Sequence, residues 1–432
     1  RSEPERAMKL LLLSEMFPSI GSPTVGTFVA GQAVQLARRL DVTVVVPVVQ
    51  PLSPRRWHAR PRLSGLSAPP DVDIPPERVL YPRYPGLPWR LDTFNAYLAY
   101  HAVRRTIRRH GLKPDIIHCH PGYPTGYTGY LVARWLRVPL VMTLHGFDMN
   151  VFGGADIKPY SNDPSFASMF YSPTTQARLQ RALLHSARVV TVSQELADKA
   201  EALGMSRQRL SVIRNGIDAS QFYPRDKRLM RHQLGLPEDA SLILFVGSLS
   251  YRKDPLGLLK AVRLLHHQGW KVFCVFLGQG ELRQALSSAV AEAGLEHYVR
   301  IPGSIRYAEI PIWMAACDAL VLPTFYESFG MVLMEALACG RPVVTTRTGA
   351  IPELLRDGEH GALIPPGDPD SLAQAIRRVL EKAWDQDALV RYARSFTWER
   401  IATELERLYS DVLAERLQRL AAKACDSGPA RG

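Results

Sequence analysis

Five cysteines in 432 residues, Cys119, Cys274, Cys317, Cys339 and Cys425, include no C-x-x-C pair. That spacing argues against the common zinc and dithiol motifs, and a disulfide framework is not expected. A reducing, cytoplasmic setting fits. Long apolar runs are missing too. Residues 42–49 form one of the longest, far short of the ~18 residues that a spanning helix needs. The apolar start at residues 8–13 is broken by Ser14, Glu15 and Met16, and no A-x-A-like cleavage site follows. It reads as a buried first strand, with residues 1–7 an extension before a start at Met8. His118-Cys119-His120 puts two imidazoles on one face of an extended strand, but no third ligand stands nearby, so no metal is expected.

Acidic excess is also lacking. The formal net charge is +12, and residues 1–225 hold 28 Lys+Arg against 16 Asp+Glu while residues 226–432 hold 25 of each. The surplus therefore lies in the first half and points to an anionic partner there. Arg104, Arg105, Arg108 and Arg109 concentrate it on adjoining faces of one helical stretch. That pattern suits an anionic lipid surface or an acidic glycan. No aromatic-interleaved stripe accompanies it, so nucleic acid is not expected. Residues 51–70, rich in Pro and Arg with Trp57 beside Arg55 and Arg56, read as a surface loop that could gate an acceptor or touch lipid.

What is present is a repeated alternation of short apolar runs with amphipathic helical stretches. Strands are expected at 9–13, 42–49, 116–118, 140–144, 189–192 and 210–213, then at 242–246, 272–277, 299–302, 319–322, 343–345 and 362–364. Such alternation predicts α/β architecture with parallel sheets covered on both faces. The expected organisation is an acceptor-side Rossmann-like domain over 8–217, a linker over 218–239 and a donor domain over 240–397. A helix at 398–420 should pack back onto the first domain, and 425–432 should form a disordered tail. Two doubly wound domains facing a cleft would place ligands at the carboxyl ends of strands.

Three stretches carry chemistry at those ends. In "FYESFGMVLMEALACGRPVV", Glu327 precedes and Glu335 lies inside a helix expected to start near Phe329 and Gly330, with Ser328 as its cap. A helix N-terminus facing a strand's carboxyl edge suits a diphosphate, and flanking carboxylates suit sugar and ribose hydroxyls. In "FVGSLSYRKDPLGLLKAV", Arg252 and Lys253 precede the Asp254-Pro255 helix start and could neutralise a leaving diphosphate. In "HGFD", His145 sits at a strand end with Gly146 and Asp148. Gly21 and Gly26 fall in the loop after the first strand.

With these residues in view, the chain resembles a family 4 retaining glycosyltransferase of the GT-B type from Met8 to about Leu420. The Glu327-x7-Glu335 element is the most specific part, supported by "TTRTGAIPELLRDGEHGALIPPGDPDSLAQAI", "VIRNGIDASQFYP", "HCHPGYPTGY" and "HGFD". The resemblance implies transfer of a hexosyl-type sugar from a nucleotide-diphosphate donor to a hydroxyl of a glycan or lipid-linked acceptor. It implies no metal and no cofactor beyond that co-substrate. It also implies roles residue by residue. Glu327 and His145 would be catalytic. Glu335 would hold ribose, and Lys253 the diphosphate, while the Phe329, Gly330, Met331 and Val332 backbones meet sugar or phosphate. Gly26 would let the first loop approach a substrate. Ser248 departs from the family's usual Arg, and Arg252 is the candidate to supply that cation. A non-catalytic nucleotide-sugar binder and a nucleotide-sugar epimerase are the competing readings.

Overall fold

A computed structural model describes residues 7–22, 25–51, 67–69, 72–87, 94–146, 148–149 and 173–426. Arg55, Arg56 and Trp57, and the tail beyond Asp426, lie outside the described residues. The described residues form two compact units, one from those up to Arg214 together with those from Trp398 onward, the other spanning Asn215–Thr397.

The first unit holds β1 (Lys9–Ser14), β2 (Asp41–Val45), β3 (Val48–Pro51), β4 (Val79–Leu80), β5 (Arg83–Gly86), β6 (Ile116–His120), β7 (Leu140–Leu144), β8 (Arg188–Thr191) and β9 (Leu210–Val212). Its main sheet runs β4-β2-β1-β6-β7-β8-β9, parallel throughout. Leu10–Leu13 are at most 1% exposed, as a strand covered by helices on both faces requires. The single strand expected over 42–49 is two. Pro47 has no N–H to give, the run breaks there, and β3 pairs with β5 in a separate ribbon.

The second unit holds β10 (Ser241–Val246), β11 (Val272–Leu277), β12 (Val299–Gly303), β13 (Ala319–Leu322), β14 (Val343–Thr346) and β15 (Gly361–Ile364) in the order β12-β11-β10-β13-β14-β15, again parallel. Each sheet reverses direction of growth beside its first strand, between β1 and β6 and between β10 and β13. Loops at such a reversal splay apart and open a crevice at the strands' carboxyl ends.

Residues 218–239, expected as a linker, are instead structured within the second unit. Asp226 caps the helix Lys227–Leu234 by accepting from Leu229 N–H at 2.7 Å. Arg231, 2% exposed, donates to the Ala316, Glu238 and Ala240 carbonyls and pairs with Asp318 at 2.7 Å. A charged run looks like a linker in sequence, but this arginine tolerates burial because each of its three nitrogens finds an acceptor. The last helix, Trp398–Asp426, packs on the first unit: Arg39 pairs with Glu406, Arg188 with Glu415, and Tyr409 reaches His118.

Candidate active site

The second unit's crevice is built from the loops after β10 and β13. After β10 comes exposed Ser248, its Oγ 3.0 Å from Ser250 Oγ, then a single turn Tyr251–Lys253. Asp254 caps the helix Pro255–His267 by accepting from Gly257 N–H at 2.9 Å, which fixes where Arg252 and Lys253 sit. The two loops are stitched together through the Arg252 carbonyl, which accepts from Phe325 N–H at 2.8 Å and from Thr324 Oγ1 at 3.0 Å. Residues after β14 brace the far side: Ala350 N–H donates to the Glu327 carbonyl at 2.9 Å and Thr348 Oγ1 to that of Phe325 at 2.8 Å.

That stitching brings Lys253 Nζ onto Glu327 Oε2, with Arg252 Nη1 at 3.7 Å from the same oxygen. Lys253 is only 8% exposed. Burial alone would push the Glu327 carboxyl up, but the Lys253 and Arg252 charges and hydrogen bonds from Lys253 and Ser328 N–H hold it below the ordinary glutamate range. Burial lowers the Lys253 ammonium in spite of Glu327.

The helix after β13 spans Met331–Ala338, and its cap is Gly330 rather than the expected Ser328. Gly330 has φ 79°, and a Cβ there would come within 2.9 Å of Leu333 and 3.2 Å of Glu327 side-chain atoms. Glycine thus lets the chain turn tightly with Glu327 packed against it. No side chain caps this helix, so the Met331 and Val332 N–H groups at its start point out unclaimed by a cap. Phe329 is buried against Phe396, 6.4 Å between ring centroids. The helix starts one to two residues later than expected, and Glu335, its fifth residue, lies in the second turn. It is 4% exposed and Oε1 accepts from Tyr307 Oη at 2.6 Å. Burial raises its carboxyl to about 7, the Tyr307 hydrogen bond opposing. No sequence motif marks Tyr307, whose place beside Glu335 depends on the packing of Ile310–Ala316.

In the first unit, His145 follows β7, and its backbone N–H and that of Gly146 donate to Asp148 Oδ1 at 3.2 and 2.9 Å. Asp148 Oδ2 also accepts from Gly122 N–H at 2.8 Å, tying the loop after β6 to the loop after β7. Burial raises the Asp148 carboxyl to about 6. His145 Nε2 lies 2.9 Å from His120 Nδ1, and Phe28 packs on its ring at 4.6 Å. Gly26 caps the helix Thr27–Ala37 at φ 69°, and a Cβ there would stand 2.3 Å from the Met16 carbonyl oxygen. His120, Asp148 and Tyr409 join this cluster without having been singled out as site residues. The HCH pattern marked the histidines, yet only topology shows which neighbour each ring meets.

The arginine helix is Asn95–Arg109. Arg105, Arg108 and Arg109 are exposed, and Arg104 and Arg108 lie over the Trp135 ring at 5.0 and 5.4 Å. Among the described residues no helix is long and apolar enough to cross a membrane, and no group of His, Cys, Asp and Glu could hold a metal.

Two family descriptions cover most of the chain: Glycosyltransferase Family 4 matches residues 25–221 and Glycosyl transferases group 1 matches 226–396. The D-inositol 3-phosphate glycosyltransferase of Thermobifida fusca is 31% identical over 373 residues, 82% of this chain and 83% of the relative. The chain belongs to the group 1/family 4 glycosyltransferases. A putative teichuronic acid biosynthesis glycosyltransferase of Bacillus subtilis is 29% identical over 382 residues, 86% and 89% of the two chains. Among solved structures, sucrose-phosphate synthase from Thermosynechococcus elongatus aligns with a TM-score of 0.73 at 21% identity, covering 94% of this chain and all of that one. The Anabaena protein HepE in complex with UDP aligns at 0.67 and 20%, with the same coverage. These likenesses establish the GT-B fold, with its two Rossmann-like domains.

Proposed function

We propose that this glycosyltransferase moves a hexosyl-type sugar from a nucleotide-diphosphate donor to a hydroxyl of a glycan or lipid-linked acceptor, with retention at the anomeric carbon. One observation carries the reading: Lys253, Arg252 and Glu327 converge at the β10/β13 reversal beside an uncapped helix N-terminus. Two cations and the Met331 and Val332 N–H groups would bind the donor's diphosphate and stabilise the charge that grows as it leaves. Arg252 takes the part that the family gives to the residue at Ser248. These groups do the work for which other transferases use a divalent cation, so none is required.

In this reading Lys253 exchanges Glu327 for the diphosphate when donor binds. Glu327, released, accepts hydrogen bonds from the sugar's hydroxyls, and Glu335 holds the ribose with its second carboxylate oxygen. Retention follows if the acceptor hydroxyl attacks from the face that the diphosphate leaves, giving its proton to the departing phosphate oxygen. The bond from the anomeric carbon to that oxygen breaks as the new one forms. His145, at the carboxyl edge of the first sheet, would stabilise the oxocarbenium-like sugar. Arg104, Arg105, Arg108 and Arg109 would dock on an anionic membrane surface, on the cytoplasmic side, where lipid-linked acceptors are presented. The acceptor chemistry proposed fits cell-surface polysaccharide or glycolipid synthesis; the name of the Bacillus relative places that protein in teichuronic acid biosynthesis.

The test is nucleotide release from UDP-, GDP- and ADP-sugars, with and without lipid extract, with and without EDTA. Release from one donor, unaffected by EDTA, raised by lipid and abolished in Glu327→Ala is expected. Binding of a nucleotide sugar with no release under any condition would instead identify a non-catalytic binder.

A further inference from the structure

His120 is fully buried, and its two ring nitrogens have different fates. Nδ1 lies 2.9 Å from His145 Nε2, whereas Nε2 is buried with no hydrogen-bond partner among the described residues. His118 packs on it with tilted rings, centroids 4.2 Å apart, and has both its own nitrogens occupied, by Tyr409 Oη at 2.5 Å and Thr143 Oγ1 at 2.7 Å. Burial keeps all three imidazoles neutral, pulling those of His118 and His145 down to about 3.

A neutral imidazole carries one N–H, so only one proton lies between His120 and His145. If His145 Nε2 held it, His120 would have to carry its own on Nε2, a buried N–H with no acceptor. If His120 Nδ1 holds it, the unpartnered Nε2 is a bare lone pair. Among backbone groups an orphaned buried N–H is rarer than an under-satisfied acceptor, and the same preference favours the bare lone pair on this ring. Hydroxyls of Tyr409 and Thr143 can donate or accept, so His118 imposes no opposing choice.

We infer that His120 is a positioning residue that donates from Nδ1 to His145 Nε2, fixing His145 as the Nδ1–H tautomer. His145 then offers a hydrogen-bond donor, not a lone pair, from its remaining nitrogen. Asp148 sets the backbone of His145 while Phe28 bears on its ring, so His120 adds the choice of tautomer to an orientation already constrained. The consequence for turnover rests on the role proposed above for His145. A donor there can meet an oxygen of the donor sugar or phosphate, whereas a lone pair would repel it.

Nitrogen-15 NMR of the full chain labelled on histidine, at pH 7.5, tests the tautomer without any substrate. His145→Gln assigns the resonances. A protonated Nδ1 and an unprotonated, pyridine-like Nε2 on His145 are expected; protonation at Nε2 overturns the inference. Turnover of the responsive donor supplies the second arm. His120→Leu should lower kcat on the order of 10- to 100-fold, by analogy with the loss of an outer partner that orients a metal-ligating imidazole, with KM moving far less. His120→Asn, whose amide N–H stands near the imidazole Nδ1–H, should restore most of it. Equal losses in the two variants would show a merely structural residue. If no donor is turned over, the function proposed above fails while the NMR result still decides the tautomer.

Discussion

Replacing Lys253 with Met removes the nearer of the two cations on Glu327 while keeping the side chain's apolar length. The carboxylate then retains Arg252 at 3.7 Å and the Ser328 N–H, in a setting where burial already acts against its charge. Breaking a buried ion pair from one side costs about 3–5 kcal/mol. Glu327 has an escape, because it can take up a proton. From an ordinary value of 4.5, protonation at pH 7.5 costs about 4 kcal/mol, and at pH 5.5 about 1.4. The variant's loss is thus capped near those figures, and Arg252 lowers it further, to about 2–4 kcal/mol at pH 7.5 and about 1 at pH 5.5. The sign follows from linkage: without Lys253 the folded-state pKa of Glu327 rises above its unfolded value, so stability falls as pH rises. Urea titrations read by hydrogen exchange in β10 and β13 peptides report the second unit alone, as two units need not unfold together. Adding Glu327→Gln should recover much of the loss at pH 7.5. A destabilisation equal at both pH values, or below about 0.5 kcal/mol, would refute the buried-pair argument.

Tyr307→Phe frees the Glu335 oxygen that Tyr307 now occupies and should change affinity for UDP more than for its 2′-deoxy analogue, by calorimetry; equal changes would remove ribose from the site. Wild-type nucleotide affinity should rise as pH passes about 7, where the Glu335 carboxyl ionises. The first unit should weaken in acid. His118 and His145 are lowered to about 3, and His120 well below its ordinary value, chiefly by burial, so their neutral forms stabilise the fold above pH 6.5 and that stabilisation is lost as pH falls toward 3. Buried His118 and His120 each contribute ~2 kcal/mol of the loss between pH 7.5 and 5 and part-buried His145 up to as much, while protonation of Asp148 returns ~1.4, leaving roughly 3–5 kcal/mol visible by hydrogen exchange in β6 and β7 but absent from β10. Gly26→Ala would force a Cβ into the Met16 carbonyl at an unfavourable φ, destabilising the Thr27–Ala37 start by about 1–3 kcal/mol and loosening Phe28 from His145. An unchanged melting temperature would contradict that.

Much of the fold is legible in the chain because parallel strands buried on both faces read as unbroken apolar runs, as in Leu10–Leu13. Short edge strands such as Val79–Leu80 and Arg83–Gly86 carry no such run, and they went unforeseen. Asp254-Pro255 marks its helix start because both residues act locally. Gly330 replaced Ser328 as a cap because the chain turns there at a positive φ, packed against Glu327 and Leu333, a conformation that glycine adopts readily. Glu327, Lys253 and His145 could be named from spacing at strand ends. Their partners could not: Lys253 and Glu327 are 74 residues apart, and Tyr409 meets His118 across 291. Sequence shows which residues are chemically able; only the folded topology selects which of them touch.

The most direct test follows an α-linked nucleotide-sugar donor, chosen as the one that responds, by proton NMR as purified protein consumes it. Early product carrying the α configuration, formed by the unmodified protein with EDTA present and by Glu327→Ala not at all, is the predicted result. Early product of β configuration, or turnover that survives the loss of Glu327, would contradict the account.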